Sequence, residues 1–463
     1  MTDTDRLIDV VNRSLTGPVV EEHDFDLKHV AAGVQGAVRD YGIKLDPQQV
    51  VNVDDDLADR VWQAALDFLA SCGVYSKDTG RVILFSRDEI EQLVRAGTSQ
   101  VSIGEGPDGR VDQARTVEDA RAPLIMGGPI GSPTPNELFV PIIRSYVQEP
   151  IVDVACGATI MSVAGQEIRT KSPLEILAAW EEIGLMRQAR ELAGRPGIPT
   201  TGIMISVSDL GNLSASSSPA VLPGDLHTFG IISELKTNND ILNKLTHILM
   251  IEGVVDPYAN PIYGGLGGGV AGQAVLLTAE LIALSVVFLA DCLGTSPTHP
   301  LQFHDTSREI MAATSLAFQA VARNASLLTN LTITPVGGPG TKTLLYETIA
   351  GTVMSTVSGQ SRILGPRSAT GVVPAHFSGL EARLMGEAAH AAAWLNRGAA
   401  EEIVQKALSK YEHELDQQPY GKPFPEVYDI ETIQPITEWL DLYEQVKSEA
   451  IGWGLPLDKV SAS

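Results

Sequence analysis

Residues 301–366 read LQFHDTSREIMAATSLAFQAVARNASLLTNLTITPVGGPGTKTLLYETIAGTVMSTVSGQSRILGP. Three runs in this stretch, LQFHD (301–305), TITPV (332–336) and RILGP (362–366), have the length and flanking residues of strands. The segments between them, 306–328 and 341–358, have the length and apolar spacing of helices. A strand, a helix and a strand in succession make a parallel pair, because parallel neighbours need a long crossover rather than a hairpin turn.

Working outward, the alternation continues in both directions. RAPLIMGGPIGSP (121–133) reads as a strand running into a Gly/Pro loop, and IVDVACGAT (151–159) and TGIMISV (201–207) read as strands. A long helix starts with Ser172 as N-cap and Pro173 at its first position, and it stops at Gly194-Arg195-Pro196-Gly197. Residues 225–251 read as mostly helical, PIYGG (261–265) as short and extended, 270–292 as an apolar helix, and 379–396 as another helix. The last roughly 60 residues are helical apart from a Pro-rich break near 418–425. Many of the strands run into Gly, Ser, Thr or His, and an eight-fold barrel builds its site at those ends. The expectation is therefore an α/β TIM (β/α)8 barrel, with a doubly wound open sheet as the alternative. No repeat of solenoid length is present.

The first part of the chain reads differently. Residues 24–41 and 55–72 have helical spacing, 81–85 is a short strand, and Ser86 with Glu89 forms a capping-box pattern for a further helix. We expect residues 1–115 to form an N-terminal, mostly helical segment. Residues 116–463 would hold the barrel with its C-terminal helices.

Composition narrows the function. The chain has 463 residues, of which 44% are hydrophobic, which is ample for a large core. A balance of 33 Lys and Arg against 57 Asp and Glu leaves a net charge of −24, so nucleic acid is not expected as a partner. Cys72, Cys156 and Cys292 are far apart and form no CxxC pair, which speaks against a thiolate zinc site and for a reducing, cytoplasmic setting. The N-terminus lacks the basic and apolar regions of a signal peptide. The apolar run 274–290 contains Glu280 and is short for a membrane span. It is expected in the barrel wall or at a subunit interface.

Several motifs invite chemistry. Gly267 to Gly272 fits G-x-G-x-x-G but does not sit in a first strand–helix unit, so it reads as a close-packed turn. Gly337-Gly338-Pro339-Gly340-Thr341-Lys342-Thr343 fails as a phosphate loop because Thr341 separates the glycine from the lysine, although a helix start there is able to hold an anion. LSASSS (213–218) lacks a nucleophile elbow. His227, His247 and His304 have no metal-ligand spacing, and no metal is expected. His299 and His304 flank the expected strand 301–305. His304-Asp305 at its end is the best general-base candidate, against a structural histidine held in a barrel wall.

A series of segments then resembles one known family. GGPIGSP (127–133), KSPLEILAA (171–179), GRPGIPTTG (194–202), SELK (233–236), PIYGGLGGG (261–269), TSRE (306–309), GLEARLMGEAA (379–389) and YDIETIQPITEWLDLYE (428–444) are similar, in order and nearly without gaps, to the monomethylamine:corrinoid protein methyltransferases. SCGVYSKDTGR (71–81) matches more loosely. The resemblance implies a TIM barrel, homo-oligomers, and methyl transfer from methylamine to the reduced cobalt of a corrinoid (a cobalamin-type cofactor) carried on a separate protein. The chain itself would hold no cofactor.

The family's hallmark is pyrrolysine, whose imine captures the amine. In this chain that column falls on Thr201, and columns holding a glutamate, a glutamine and a tyrosine fall on Tyr258, Thr332 and Thr334. Threonine offers no electrophile. The resemblance therefore points to a pyrrolysine-independent methyltransferase whose donor is a quaternary or otherwise activated N-methyl compound. Thr201, His304 and Asp305 are the catalytic candidates, and Tyr258, Thr332 and Thr334 are the substrate-binding candidates. A tyrosine ring facing the pocket holds such a cation by a cation–π contact worth about 1–2 kcal/mol. Two other readings stand beside this one: a corrinoid-independent enzyme using His304 and Asp305, and a non-catalytic small-molecule-binding homologue. Ser172, Arg195, Arg308, Glu381 and Arg383 lie in the shared segments and read as scaffold. Arg308, Glu381 and Arg383 are expected to form ion pairs bracing the barrel mouth.

Overall fold

The computed structural model describes residues 2–202 and 208–460. Eight parallel strands form its central sheet: β1 (Leu124–Gly127), β2 (Val154–Cys156), β3 (Thr200–Thr201), β4 (Leu226–Gly230), β5 (Val254–Ala259), β6 (Cys292–Thr295), β7 (Leu328–Thr332) and β8 (Arg362–Gly365). A helix follows each strand: α1 (Asn136–Val147), α2 (Pro173–Leu192), α3 (Asp209–Ser216), α4 (Asn239–Met250), α5 (Val270–Val286), α6 (Arg308–Asn324), α7 (Lys342–Val357) and α8 (Gly379–Ala392). The sheet order is β3-β2-β1-β8-β7-β6-β5-β4, so the chain winds once round a (β/α)8 barrel. At the seam between β3 and β4 side chains make the link. Asp225 accepts the Thr200 amide at 2.7 Å, and the Thr201 and Thr228 hydroxyls bond each other.

Strand alternation decides what fills the barrel. Met126, Val154, Cys156, Leu226, Val254, Tyr258 and Leu364 pack together inside it, while their neighbours Ile125, Ala155, Phe229, Val255, Leu293, Leu331 and Ile363 join the outer core under the helices. An antiparallel hairpin, Gln100–Ile103 with Arg110–Gln113, closes the end where the strands begin. Its Ile103 joins the interior cluster and its Asp112 bonds Arg362.

The N-terminal helices explain α5. Asp55–Cys72 starts on Asp54, whose side chain accepts the Leu57 amide at 3.0 Å, and it ends at Gly73 with φ 68°. That helix lies across α5 and α6, and Ala32–Asp40 and Arg87–Arg95 also pack on α5. The residues of α5 from Gly272 to Val286 are all buried. Its apolar circumference is thus covered by the chain's own helices, which places it in the barrel wall, the first of the two settings expected of it. Buried Glu280 accepts the Leu235 amide at 3.3 Å through one oxygen, and burial holds its carboxyl well above the ordinary range, towards the neutral form. No described helix is long and apolar enough to cross a membrane.

Several boundaries differ from the sequence expectation. Residues 225–251 divide into β4 and α4, and 270–292 divides into α5 and the start of β6. LQFHD is loop after β6, and PIYGG is a turn after β5. TITPV overlaps only the end of β7. Of TGIMISV, Thr201 belongs to β3, and 203–207 lie outside the described residues. The reason is shared: strands buried on both faces are short apolar runs without a visible period, and Pro257 inside β5 argues locally against a strand. Ser172 flanks α2 without capping it through its side chain, because its hydroxyl donates to the Arg169 carbonyl at 2.6 Å.

The scaffold residues pair with unexpected partners. Arg308 meets Glu412 at 2.9 Å and Arg383 meets Glu149 at 2.6 Å. Glu381 instead caps α8, accepting from the Ser378 amide and hydroxyl. Arg195 ties Asp108 of the closing hairpin at 3.1 Å.

Candidate functional site

A cavity of about 220 Å3 opens at the ends of the strands, where a TIM barrel carries its chemistry. Its floor and walls come from Thr228 and Gly230 on β4, Tyr258 on β5, Thr332 on β7, and loop residues Ile130, Gly131, Asn260, Ser296, Thr298 and Arg367. The volume lies below the roughly 300–1,000 Å3 typical of drug-sized ligand sites, so it suits a small molecule.

Tyr258 is buried, and its hydroxyl accepts from the Asn330 amide over the intervening strand β6, where Gly294 lies between them in register. The ring has space because residue 294 is glycine: a β-carbon there would stand 2.6 Å from the ring. Burial holds the phenol well above its ordinary pKa, so it stays neutral.

One layer deeper lies a polar cluster. The Thr228 hydroxyl donates to Asp256 at 2.9 Å, and the Thr201 hydroxyl bonds that of Thr228 and lies 3.3 Å from the same carboxyl group. Arg362, fully buried, bonds Asp112 and faces Asp256 at 3.5 Å. Burial raises the Asp256 carboxyl, and Arg362 and the two hydroxyls oppose that rise. Thr201 is thus committed to Thr228 and Asp256 beneath the cavity.

Thr334 lies at the rim, its hydroxyl 3.2 Å from that of Ser296. Its amide donates to Asp305 at 2.8 Å, and Ser296 donates to the same carboxylate at 3.4 Å. Burial pushes Asp305 up to about 7, helped by nearby Glu347. His304 points elsewhere. It stacks on His299 with ring centres 4.9 Å apart and bonds Gln302 and Thr306. Burial lowers it to about 3, so the ring is neutral and weakly basic at pH 7. The two neighbours in sequence form no His–Asp pair.

The structure therefore brings Tyr258 and Thr332 together in the cavity, sets Thr334 and Asp305 beside it, and places Thr201 below it and His304 outside it. Sequence reasoning missed Thr228, Asp256, Arg362 and Arg367. A charged residue inside an apolar strand (Asp256 in VVDPYA, Arg362 in RILG) was a legible signal, as was an arginine just past the last strand.

The other tempting loops are structural. A β-carbon on Gly272 would stand 2.0 Å from the Gly267 carbonyl oxygen, which makes Gly267 to Gly272 a close-packed turn. Ahead of α7, the Val336 and Gly337 amides donate to Glu347 at 2.9 and 2.7 Å and are not free for an anion. No group of three or more His, Cys, Asp or Glu among the described residues is arranged to hold a metal.

Comparison with known proteins bears on this site. The family model for monomethylamine methyltransferase MtmB matches residues 6–455. Monomethylamine methyltransferase MtmB2 of Methanosarcina acetivorans is 31% identical over 447 residues, covering 96% of this chain and 97% of that protein. MtmB of Methanosarcina mazei is 30% identical over the same length and coverage. The crystal structure of the Methanosarcina barkeri monomethylamine methyltransferase superposes with a TM-score of 0.94 at 29% identity, covering 97% of this chain and 98% of that one. The structure of an MtmB complex with hydroxylamine matches equally well.

Proposed function

The chain belongs to the monomethylamine methyltransferase family and is a methyltransferase, and from that premise we propose that it works without pyrrolysine on a donor whose methyl group is already activated. The methyl acceptor is the reduced cobalt of a corrinoid held by a partner protein. The donor is a quaternary N-methyl compound. What supports this reading is the resemblance, which sets a threonine where the family carries its amine-capturing residue. The pyrrolysine column falls on Thr201, whose hydroxyl is bound to Thr228 and Asp256.

The chemistry explains why the donor must change. Transfer breaks the N–CH3 bond and leaves its electron pair on nitrogen, while the cobalt supplies the pair for the new bond. Neutral methylamine would release an amide-like anion, a very poor leaving group. A quaternary ammonium releases a neutral tertiary amine. Such a donor needs only to be held with its methyl group facing the barrel mouth.

The residues suit that task. The Tyr258 ring favours a cation at its face, at about 1–2 kcal/mol when water is excluded. Thr228 and Thr332 line the same cavity, and Thr228 is bonded to the Asp256 carboxylate. The three buried free thiols, Cys72, Cys156 and Cys292, suit the cytosol as its location.

Incubation of the protein with reduced cobalamin and single donors, followed by absorbance, tests the reading. Methylcobalamin is expected from a quaternary donor such as trimethylglycine and not from monomethylamine. Formation from monomethylamine alone would contradict it.

A further inference from the structure

Among the described residues, Arg367 is the only charged one lining the cavity. It follows β8, in the region where TIM barrels commonly bind anionic groups. Its Nε donates to the Ile130 carbonyl at 3.1 Å, and one terminal nitrogen reaches the Gly371 carbonyl at 3.5 Å. Among the described residues it has no carboxylate at ion-pair distance; the acid whose field reaches it is Asp305, which is bonded to Thr334 and Ser296. Gly371 leaves room for the guanidinium, since a β-carbon there would stand 2.3 Å from Nε.

A half-buried guanidinium stays charged, and a cation without a counter-ion in a cavity is unfavourable until an anion joins it. The Nε bond fixes the orientation of the group. The terminal nitrogens, one with a long bond and one with none, keep the fork geometry that matches a carboxylate. The other side of the cavity has no charged side chain in its described lining. Tyr258 presents an aromatic ring, and Thr228 is backed by Asp256. A purely cationic donor would be attracted there and repelled by Arg367.

We propose that the donor is a small zwitterion, an N-methylated amino acid of the betaine type, whose carboxylate is bound by Arg367 while its methylammonium end rests at Tyr258. This rests on the methyltransferase reading above and names its substrate class. In the transfer the N–CH3 bond breaks with its electrons left on nitrogen, the cobalt(I) donates the pair for the new bond, and the product is an N-dimethyl amino acid with its carboxylate still at Arg367.

The test pairs trimethylglycine with tetramethylammonium, which share the N-methyl head and differ in the carboxylate. Binding is measured by calorimetry without cobalamin, and turnover by methylcobalamin absorbance. The wild-type protein is expected to bind trimethylglycine about 10- to 100-fold more tightly than tetramethylammonium, the value of a charged hydrogen-bonded pair. Arg367→Gln is expected to remove that preference, and Arg367→Lys to restore part of it, with thermal unfolding showing that both variants are folded. If Arg367→Gln unfolds, Arg367→Lys and the wild-type preference carry the test. Equal affinity for the two probes, or a preference untouched by Arg367→Gln, would overturn the assignment. Methylcobalamin from tetramethylammonium alone would overturn it while leaving the methyltransferase reading intact. Arg367-dependent binding with no methylcobalamin from any donor would keep the ligand class and defeat the donor role. No binding of either probe and no methylcobalamin would defeat both.

Discussion

Tyr258 and Gly294 act as a pair. The ring occupies space that a side chain at 294 would take, and its hydroxyl ends on Asn330. Gly294→Ala is expected to displace the ring and destabilise the fold by about 1–3 kcal/mol, read by denaturant unfolding, with weaker donor binding read in parallel. Asp305 makes a different prediction. Its carboxyl keeps its proton to about pH 7 in the folded protein and releases it near its ordinary value of 3.8 when unfolded. The stability this contributes is full below pH 4 and is lost as pH rises through 7, by an amount on the order of a few kcal/mol. Asp305→Asn should flatten that part of the stability–pH curve, and an unchanged slope would show that the carboxyl ionises in the native state. At this scale the sequence was partly legible. Tyr258 and Thr332, which line the cavity, came from the family columns; Arg367 was passed over although it stands just past the last strand, where a barrel builds its site.

The elements were legible where their signals are local. The helix Asp55–Cys72 and the capped helix after Ser86 stand where spacing and caps placed them. The strands β4, β5 and β6 were absorbed into neighbouring helices or shifted, since a strand of four to six residues buried on both faces carries no period of its own. The burial of α5 was legible and its cover was not: an all-round apolar helix announces burial but not what buries it. Its cover is the N-terminal segment. Leu66→Ala, in the helix lying across α5 and α6, is expected to cost about 2–5 kcal/mol in denaturant unfolding. We further propose that the N-terminal segment is not an independent unit. Removing residues 2–95 should expose α5 and leave an aggregating protein by light scattering, and a soluble, cooperatively folded remainder would contradict this.

The whole molecule keeps the frame of its family, and the proposal is that its centre differs. Alternation of helix and strand was enough to expect a barrel, and the closing hairpin and buried Asp112–Arg362–Asp256 cluster explain how the end opposite the cavity is sealed. The family supplies the reaction class, and the proposed donor rests on the cavity's lining: a neutral aromatic and threonine wall with Asp256 beneath it, and Arg367 on the other side. The central claim is that donor activation has passed from a pyrrolysine in the protein to the substrate itself. A donor screen with reduced cobalamin, comparing monomethylamine with quaternary N-methyl compounds in the wild type, Thr201→Ala and Tyr258→Ala, tests it most directly. The account predicts methylcobalamin from a quaternary donor, an effect of Tyr258→Ala of about tenfold on KM, and activity retained in Thr201→Ala. Turnover of monomethylamine that is abolished by Thr201→Ala would contradict it.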